Sequence, residues 1–320
     1  MRNNLQDWLC QAGKAKRMAL IAHVSPDGDT VGAALALRLA FLSLGKAVDV
    51  ICDGDMESRL SYLTGIQQVL RPEQTDGLYD TVIAVDVSDH GLLGQSAAIF
   101  DGAPVRMVLD HHATNPGYGD WNYLRGDECS CCVLAYEVIT GLGVTVTREM
   151  GECLMTGLST DTGHFMYPYT TPRAFEIAGR LLALGVDVSA ITRVLYRTQS
   201  RASVNLTRTA YQNMRFELEG RVGVIELTKR ELDEAGVAPN QTGGLVNRAL
   251  EVEGVRFAIL ATEREDGVKL SLRAVEPDTV NDIAKRFGGG GHAQAAGVTM
   301  QTTMGEAVAA VLAAMSAKLG

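Results

Sequence analysis

Short apolar runs alternate with longer helical patterns along the N-terminal part of the chain. Met18–Val24, Val48–Cys52, Thr81–Val87 and Val105–Leu109 are a few residues long and partly β-branched. Their continuous apolar character predicts strands buried on both faces. Gly32–Leu44 separates the first two with a helical pattern. Strands alternating with helices predict an α/β fold, a parallel sheet covered on both sides. From Gly151 to about Gln212 the pattern is helical, broken at Gly163, Pro168, Pro172 and Gly185. Strand-like runs return at Arg215–Leu218, Val222–Leu227, Val255–Thr262 and Val268–Arg273. The last two are joined by a Glu265-Asp266-Gly267 turn. Asp278–Phe287 and Met304–Lys318 read as helices. The expected division is a domain over 1–190, a helical linker over 191–214 and a smaller α/β domain over 215–320.

Three of the apolar runs end in acidic or imidazole residues. The first leads into His23-Val24-Ser25-Pro26-Asp27-Gly28-Asp29-Thr30, the second such run ends at Asp86, and the third at Asp110-His111-His112. Ligands of open parallel sheets gather at the carboxyl ends of the strands, so these residues are expected to share one crevice. Asp161, at the end of a predicted helix, has no evident structural duty and joins the set. Each residue also has a plain structural explanation. Asp-Gly-Asp-Thr is turn and cap chemistry, and a His-His pair is commonly solvated. Four separate segments presenting such groups at the expected end of an element are harder to attribute to capping. Clustered carboxylates repel one another unless cations neutralise them. Mixed imidazole and carboxylate donors suit Mn²⁺, with Mg²⁺, Co²⁺ or Zn²⁺ as alternatives. Two such ions, about 3.5–4 Å apart, activate water and stabilise the leaving oxygen of a phosphoryl transfer. Asp86, alone on a middle strand, is the natural carboxylate to bridge them.

Composition narrows the substrate. The 320 residues are 46% hydrophobic and carry a formal charge of −9. A broad basic face for gripping long duplexes is not expected, which leaves a short substrate held at a local basic pocket. No apolar run reaches the roughly 18 residues of a membrane span, and MRNNLQDWLC has no signal-peptide pattern. A cytoplasmic protein without a membrane partner is therefore expected. Six cysteines fit a reducing compartment. Cys129, Cys131 and Cys132 lack a second cluster at zinc spacing and read as packing residues.

The segments AHVSPDGDT, AVDVS, LDHH and STDTG together resemble the DHH phosphoesterases. KRFGGGGHAQAAG, residues 285–297, resembles the signature of the DHH-associated C-terminal domain. Length and layout are similar to the bifunctional nanoRNase and 3′-phosphoadenosine-5′-phosphate phosphatase group. The resemblance implies an active site in the cleft between two domains and two divalent ions, with Mn²⁺ favoured. His23, Asp27 and Asp86 would hold one ion; Asp29, Asp86, His111 and Asp161 would hold the other. Asp110 would orient its neighbour, and His112 would face the scissile phosphate. Arg273, Gly288, Gly289, Gly290, Gly291 and His292 would hold the far end of the substrate. Physically, a glycine run lets backbone amides approach an anion, and an arginine can clamp phosphate with two donors. A glycine run is also what a flexible loop looks like. Arg248, on an amphipathic helix, is a weaker candidate that reads more readily as a solvated side chain.

Expected substrates are short single-stranded RNA or DNA oligonucleotides and small nucleotides; a homodimer is the expected assembly, twofold dimers being the commonest oligomers. This chain departs from many relatives at Cys129-Ser130-Cys131-Cys132, where small hydroxyl residues are common. It also lacks an arginine shortly after Asp86. Both departures are expected to touch substrate contacts rather than the metal core. Rival functions are a cyclic-dinucleotide phosphodiesterase, a family-two pyrophosphatase, a haloacid-dehalogenase-type phosphatase and a non-catalytic nucleic-acid-binding module. The complete ligand set argues against the last, and the DHH triplet against the dehalogenase type.

Overall fold

Four central strands of the first unit carry almost no polar side chains, and each lies buried on both faces. The structure, a computed structural model, describes residues 4–237, 242, 244–291 and 293–319. The chain divides into two units, Met1–Thr198 and Gln199–Gly320. In the first, β1 (Arg17–Ala22), β2 (Ala47–Cys52), β3 (Val69–Leu70), β4 (Thr81–Val85), β5 (Val105–Asp110) and β6 (Trp121–Leu124) form one parallel sheet, ordered β3-β2-β1-β4-β5-β6. Successive residues of β1 point to opposite faces. Met18 and Leu20 join one core, Ala19 and Ile21 the other. Two buried faces require two helical layers, as the continuous apolar runs predict.

The first face is covered by α1 (Leu5–Lys14), α2 (Gly28–Ser43), α4 (Cys131–Gly141), α5 (Arg148–Asp161) and α6 (Pro172–Ala183), whose apolar residues share its core. The second face holds α3 (Ala97–Gly102) through Phe100. Helix α2 starts four residues before the Gly32 expected from periodicity. Asp27 is its cap: Oδ1 accepts from the Asp29 and Thr30 amides at 2.9 and 3.0 Å. Helices α2 and α5 approach closely through glycines. A Cβ on Gly32 would overlap the Cys153 carbonyl oxygen. One on Gly157 would overlap Cys132 Sγ and stand 2.6 Å from Asp29 Oδ1. A short α7 (Val188–Thr192) and a π-helical turn over Arg193–Arg197 end the unit.

The second unit holds α8 (Arg201–Gln212), β7 (Arg215–Glu217), β8 (Val222–Leu227), α9 (Lys229–Ala235), α10 (Leu245–Leu250), β9 (Phe257–Arg264), β10 (Gly267–Ala274), α11 (Asn281–Arg286), β11 (Gly290–Gly291), β12 (Ala295–Met300) and α12 (Met304–Leu319). Its sheet is mixed, ordered β11-β12-β10-β9-β8-β7, with β8 and β9 parallel and the other neighbours antiparallel. The alternating burial of β10 matches a sheet with one face toward a core. Leu270 and Leu272 point into that core with Ile283 and Val311. No described helix is long and apolar enough to cross a membrane.

Candidate metal centre

Strand order reverses between β1 and β4, and that switch point opens a crevice at the carboxyl ends of the strands. His23 leaves β1 and Asp86 follows β4. Asp110 ends β5, with His111 and His112 after it. Asp27 and Asp29 open α2, and Asp161 closes α5. The sequence candidates of the first unit therefore converge. His23, Asp27 and Asp86 present donor atoms within 4.8 Å of one another; so do Asp29, His111 and Asp161, and Asp86, His111 and His112.

Asp86 sits between these sets. Its Oδ2 lies 3.8 Å from His23 Nε2, and its Oδ1 lies 3.4 Å from His111 Nε2. Both Asp86 Oδ1 and His111 Nε2 are buried without a hydrogen-bond partner. Buried orphans are costly, and a pair facing each other across 3.4 Å is suited to a shared cation. The backbone of Asp86 adopts a left-handed φ of 59°, rare outside glycine, asparagine and aspartate. The Asp86 amide donates to the Leu109 carbonyl at 2.8 Å, and Thr30 Oγ1 donates to the Val85 carbonyl at 2.8 Å. These bonds pin the turn that aims the carboxylate.

Electrostatics tells the same story. Burial first, then Asp29, Asp27 and Asp161, push the Asp86 carboxyl well above its ordinary range. Burial and the nearby Asp161 raise Asp29 to about 6. Burial lowers His23 against the pull of Asp27. Burial opposes charge on His111 as well, but the Asp161 and Asp29 carboxylates win and raise it to about 9. His111 Nε2 stands 3.1 Å from Asp161 Oδ2, in an orientation short of a hydrogen bond. These carboxylates crowd one another with little countercharge, and the oxygen-and-imidazole donor set fits Mn²⁺ or Mg²⁺.

Supporting residues fix the donors. Asp29 Oδ1 accepts from Ser130 Oγ at 2.7 Å and the Cys132 amide at 3.0 Å, and its Oδ2 accepts from the Cys131 amide at 2.6 Å. The N-terminus of α4 thus grips the carboxylate, using amides that a helix start leaves free. Sequence reasoning treated Cys131 and Cys132 as packing residues. Their thiols are buried, but Ser130 and their backbone are part of the centre, which corrects the expectation that the Cys129–Cys132 departure spares the metal core. Ser130 ahead of an apolar helical run was the available cap signal. His111 Nδ1 faces the Glu128 carbonyl at 3.2 Å, which turns Nε2 inward. Asp110 contacts His112: Oδ1 lies 2.8 Å from His112 Nδ1, and Oδ2 accepts from Asn115 Nδ2 at 2.6 Å. Burial would raise Asp110, yet these two bonds hold it below the usual carboxylate range. Asn115, in an irregular segment, was missed by sequence reasoning. Ser130→Ala should weaken Mn²⁺ binding about 10- to 100-fold, read by calorimetric titration. Unchanged affinity would mean that the two amides suffice.

In the second unit, Arg273 lies on β10, opposite Ala295 of β12 and Ala258 of β9. It is half-buried, and burial lowers its pKa. Its Nη1 donates to the Leu272 carbonyl at 2.9 Å, and no acidic side chain pairs with it among the described residues. Gly288–Gly291 lie between α11 and β12. Gly288 has φ 82° and Gly291 φ 141°. A Cβ on Gly289 would overlap the Gly297 carbonyl oxygen, and one on Gly291 would stand 2.6 Å from Ala296 Cα. A Cβ on Gly288 or Gly290 would meet open space, and of these two only Gly288 is held to glycine, by its left-handed φ. Three of the four glycines are thus demanded by the fold, a correction to the flexible-loop alternative. His292 lies outside the described residues. Gly289→Ala should cost about 1–3 kcal/mol and Gly290→Ala within about 0.5 kcal/mol, measured by chemical denaturation. Equal costs would show that the loop yields.

Residues 17–158 match the DHH family, N-terminal domain, and residues 220–320 match the DHHA1 domain. The bifunctional oligoribonuclease and PAP phosphatase NrnA of Thermus thermophilus is 30% identical over 88% of this chain and 83% of its own. A crystal structure of an exopolyphosphatase-related protein from Bacteroides fragilis superposes with a TM-score of 0.90. It has 27% identity and covers 98% of this chain and 95% of that one. The exonuclease RecJ bound to manganese shares the fold at a TM-score of 0.54 and 16% identity, over 94% of this chain and 91% of its own. With both domains matched in order and a relative of this identity over most of both chains, the chain belongs to the DHH phosphoesterase family, in the branch that carries a DHHA1 domain.

Proposed function

We propose that the chain is a two-metal phosphoesterase. It hydrolyses short oligonucleotides to mononucleotides and 3′-phosphoadenosine-5′-phosphate to AMP. The observation that carries the metal half is the pair of buried orphans, Asp86 Oδ1 and His111 Nε2, inside a ring of carboxylates. The substrate half rests on the activity for which the 30%-identical Thermus thermophilus relative is named.

In this proposal His23, Asp27 and Asp86 hold one ion, and Asp29, Asp86, His111 and Asp161 hold the other. Asp27 can do so while capping α2, because its cap bonds use only Oδ1. The ions, Mn²⁺ with Mg²⁺ or Co²⁺ as substitutes, would supply Lewis acidity at the reacting phosphate. Asp110 positions His112, whose half-exposed ring faces the crevice and contacts phosphate oxygen. In the second unit, Arg273 and the Gly288–Gly291 segment with His292 bind phosphate.

The test is a substrate panel with added Mn²⁺: a linear diadenylate, 3′-phosphoadenosine-5′-phosphate, a cyclic dinucleotide and pyrophosphate. The first two should turn over, and chelation should abolish turnover, with recovery on readdition. Full activity after metal removal would overturn the metal half. Cleavage of pyrophosphate alone, or of the cyclic dinucleotide alone, would overturn the substrate half.

A further inference from the structure

Immediately after Asp161 the chain exposes several large aromatic and apolar side chains that the metal chemistry does not use. In Thr162–Thr170, Met166 is 78% exposed, Tyr167 46% and Tyr169 58%. Such a group is unusual on a solvated surface unless something covers it. The segment is also held firmly. The Met166 and Tyr167 amides both donate to the Thr162 carbonyl at 3.0 Å, and the Phe165 amide donates to Thr162 Oγ1 at 2.8 Å. The Thr170 amide donates to the Tyr167 carbonyl at 3.0 Å. Thr162 itself is fully buried.

Each tyrosine is anchored where the proposed metal centre ends. Tyr169 Oη donates to the Asp161 carbonyl at 3.2 Å. The Tyr167 ring lies against Gly163, where a Cβ would stand 2.6 Å from its Cε1. Gly163 has φ 55°, so the turn needs glycine for its backbone as well as for the ring. The two rings stand 5.4 Å apart at a tilt of 39°. Asp161 Oδ2 is 3.1 Å from His111. A phosphate held at these groups would bring its attached nucleoside beside the tyrosines.

We propose that Tyr167 and Tyr169 form a stacking platform for a substrate nucleobase next to the scissile phosphate. This rests on the nucleotide-phosphoesterase function proposed above and names its specificity element. Stacking on a preset ring costs little ordering and is tolerant of sequence, because every base has an aromatic face. The platform makes the enzyme indifferent to which base is present but sensitive to whether one is present. Phe165 and Phe175 form a second aromatic pair, 5.1 Å apart. Partly buried Phe165 packs on the core, so that pair reads as structural.

The experiment compares kcat/KM for a 5′-phosphorylated dinucleotide with that for the same molecule carrying an abasic residue. Wild type should prefer the base-bearing substrate by about 5- to 100-fold, with the four bases within a few-fold of one another. The Y167L/Y169L variant should bring the ratio close to one, whereas Y167F/Y169F, which keeps both rings, should retain it. Equal ratios in wild type and Y167L/Y169L overturn the platform. A second measurement separates this from failure of the enzymatic proposal. If neither substrate is hydrolysed, the enzymatic proposal falls. Quenching of 2-aminopurine nucleotide fluorescence by wild type but not by Y167L/Y169L would still support the platform, and equal quenching would overturn it.

Discussion

Asp86→Asn should lower kcat/KM on a linear dinucleotide by about 10³-fold or more, yet raise the melting temperature of the metal-free protein. The two effects share one cause. Asp86 is 2% exposed, its Oδ1 has no hydrogen-bond partner, and four further carboxylates, Asp29, Asp27, Asp161 and Asp110, push on it. Without metal, that charge is a burden on the fold. Asparagine keeps the shape and tolerates the left-handed backbone at φ 59°. Relief of about 1–2 kcal/mol corresponds to several degrees in a chain of this size. The sign with pH follows from the raised carboxyl. The folded state holds the Asp86 proton more tightly than the unfolded state, so wild-type stability falls as pH climbs above the unfolded value. The advantage of Asp86→Asn should therefore grow from about pH 4 upward. Asp86→Ala should be as inactive but less stable than Asp86→Asn by about 1 kcal/mol, because alanine resists that φ. Calorimetry of stripped protein at two pH values checks this. Retained activity, or a lower melting temperature for Asp86→Asn, would contradict the role given to Asp86.

Gly157→Ala should damage both stability and turnover. The added Cβ would overlap Cys132 Sγ and press on Asp29 at 2.6 Å from Oδ1 and 2.9 Å from Cα. Neither neighbour is a flexible surface tip. Cys132 belongs to the helix start that grips Asp29, and Asp29 is fully buried. Helix α5 must tilt away, and Asp161 lies one turn further along the same helix. Overpacking of this kind costs about 1–3 kcal/mol. Displacing two donors by even ~1 Å should cost about 10²-fold in kcat/KM. Gly179→Ala is the control: it lies exposed on α6 with nothing within 4 Å. There the exchange should stabilise by about 0.5–1 kcal/mol. A Gly157→Ala protein with normal stability and turnover would show that the α2–α5 seam has slack.

The strands that carry the centre were legible because burial on both faces leaves no room for polar residues. Val82, Ile83, Ala84 and Val85 read as a strand without knowledge of any neighbour. The edge strands were not legible. Val69–Leu70 has two residues, and Trp121–Leu124 contains a buried Asn122 bonded to its own loop at Gly119. Ala295–Met300 starts with two alanines and a glycine, which carry no strand preference. The convergence of His23, Asp27, Asp29, Asp86, His111 and Asp161 was readable from where each residue follows its element. Their supports were not. The grip of α4 on Asp29 uses backbone amides, which have no sequence letter. Asn115 reaches Asp110 across an irregular turn that periodicity cannot see.

The strand order has a consequence for how the molecule comes together. β1 is flanked by β2 on one side and by β4 on the other, so the crevice has no second wall until a distant segment docks in parallel. Parallel pairing of this kind is non-local and slow. The donors, spread from His23 to Asp161, meet only after that step and after α5 has closed on α2. A cation has little to hold in the transition state for folding and much to hold in the finished unit. Its stabilisation should then appear almost wholly in the escape rate from the native state. For this fold a bound metal would be a brake on unfolding rather than a nucleus for assembly.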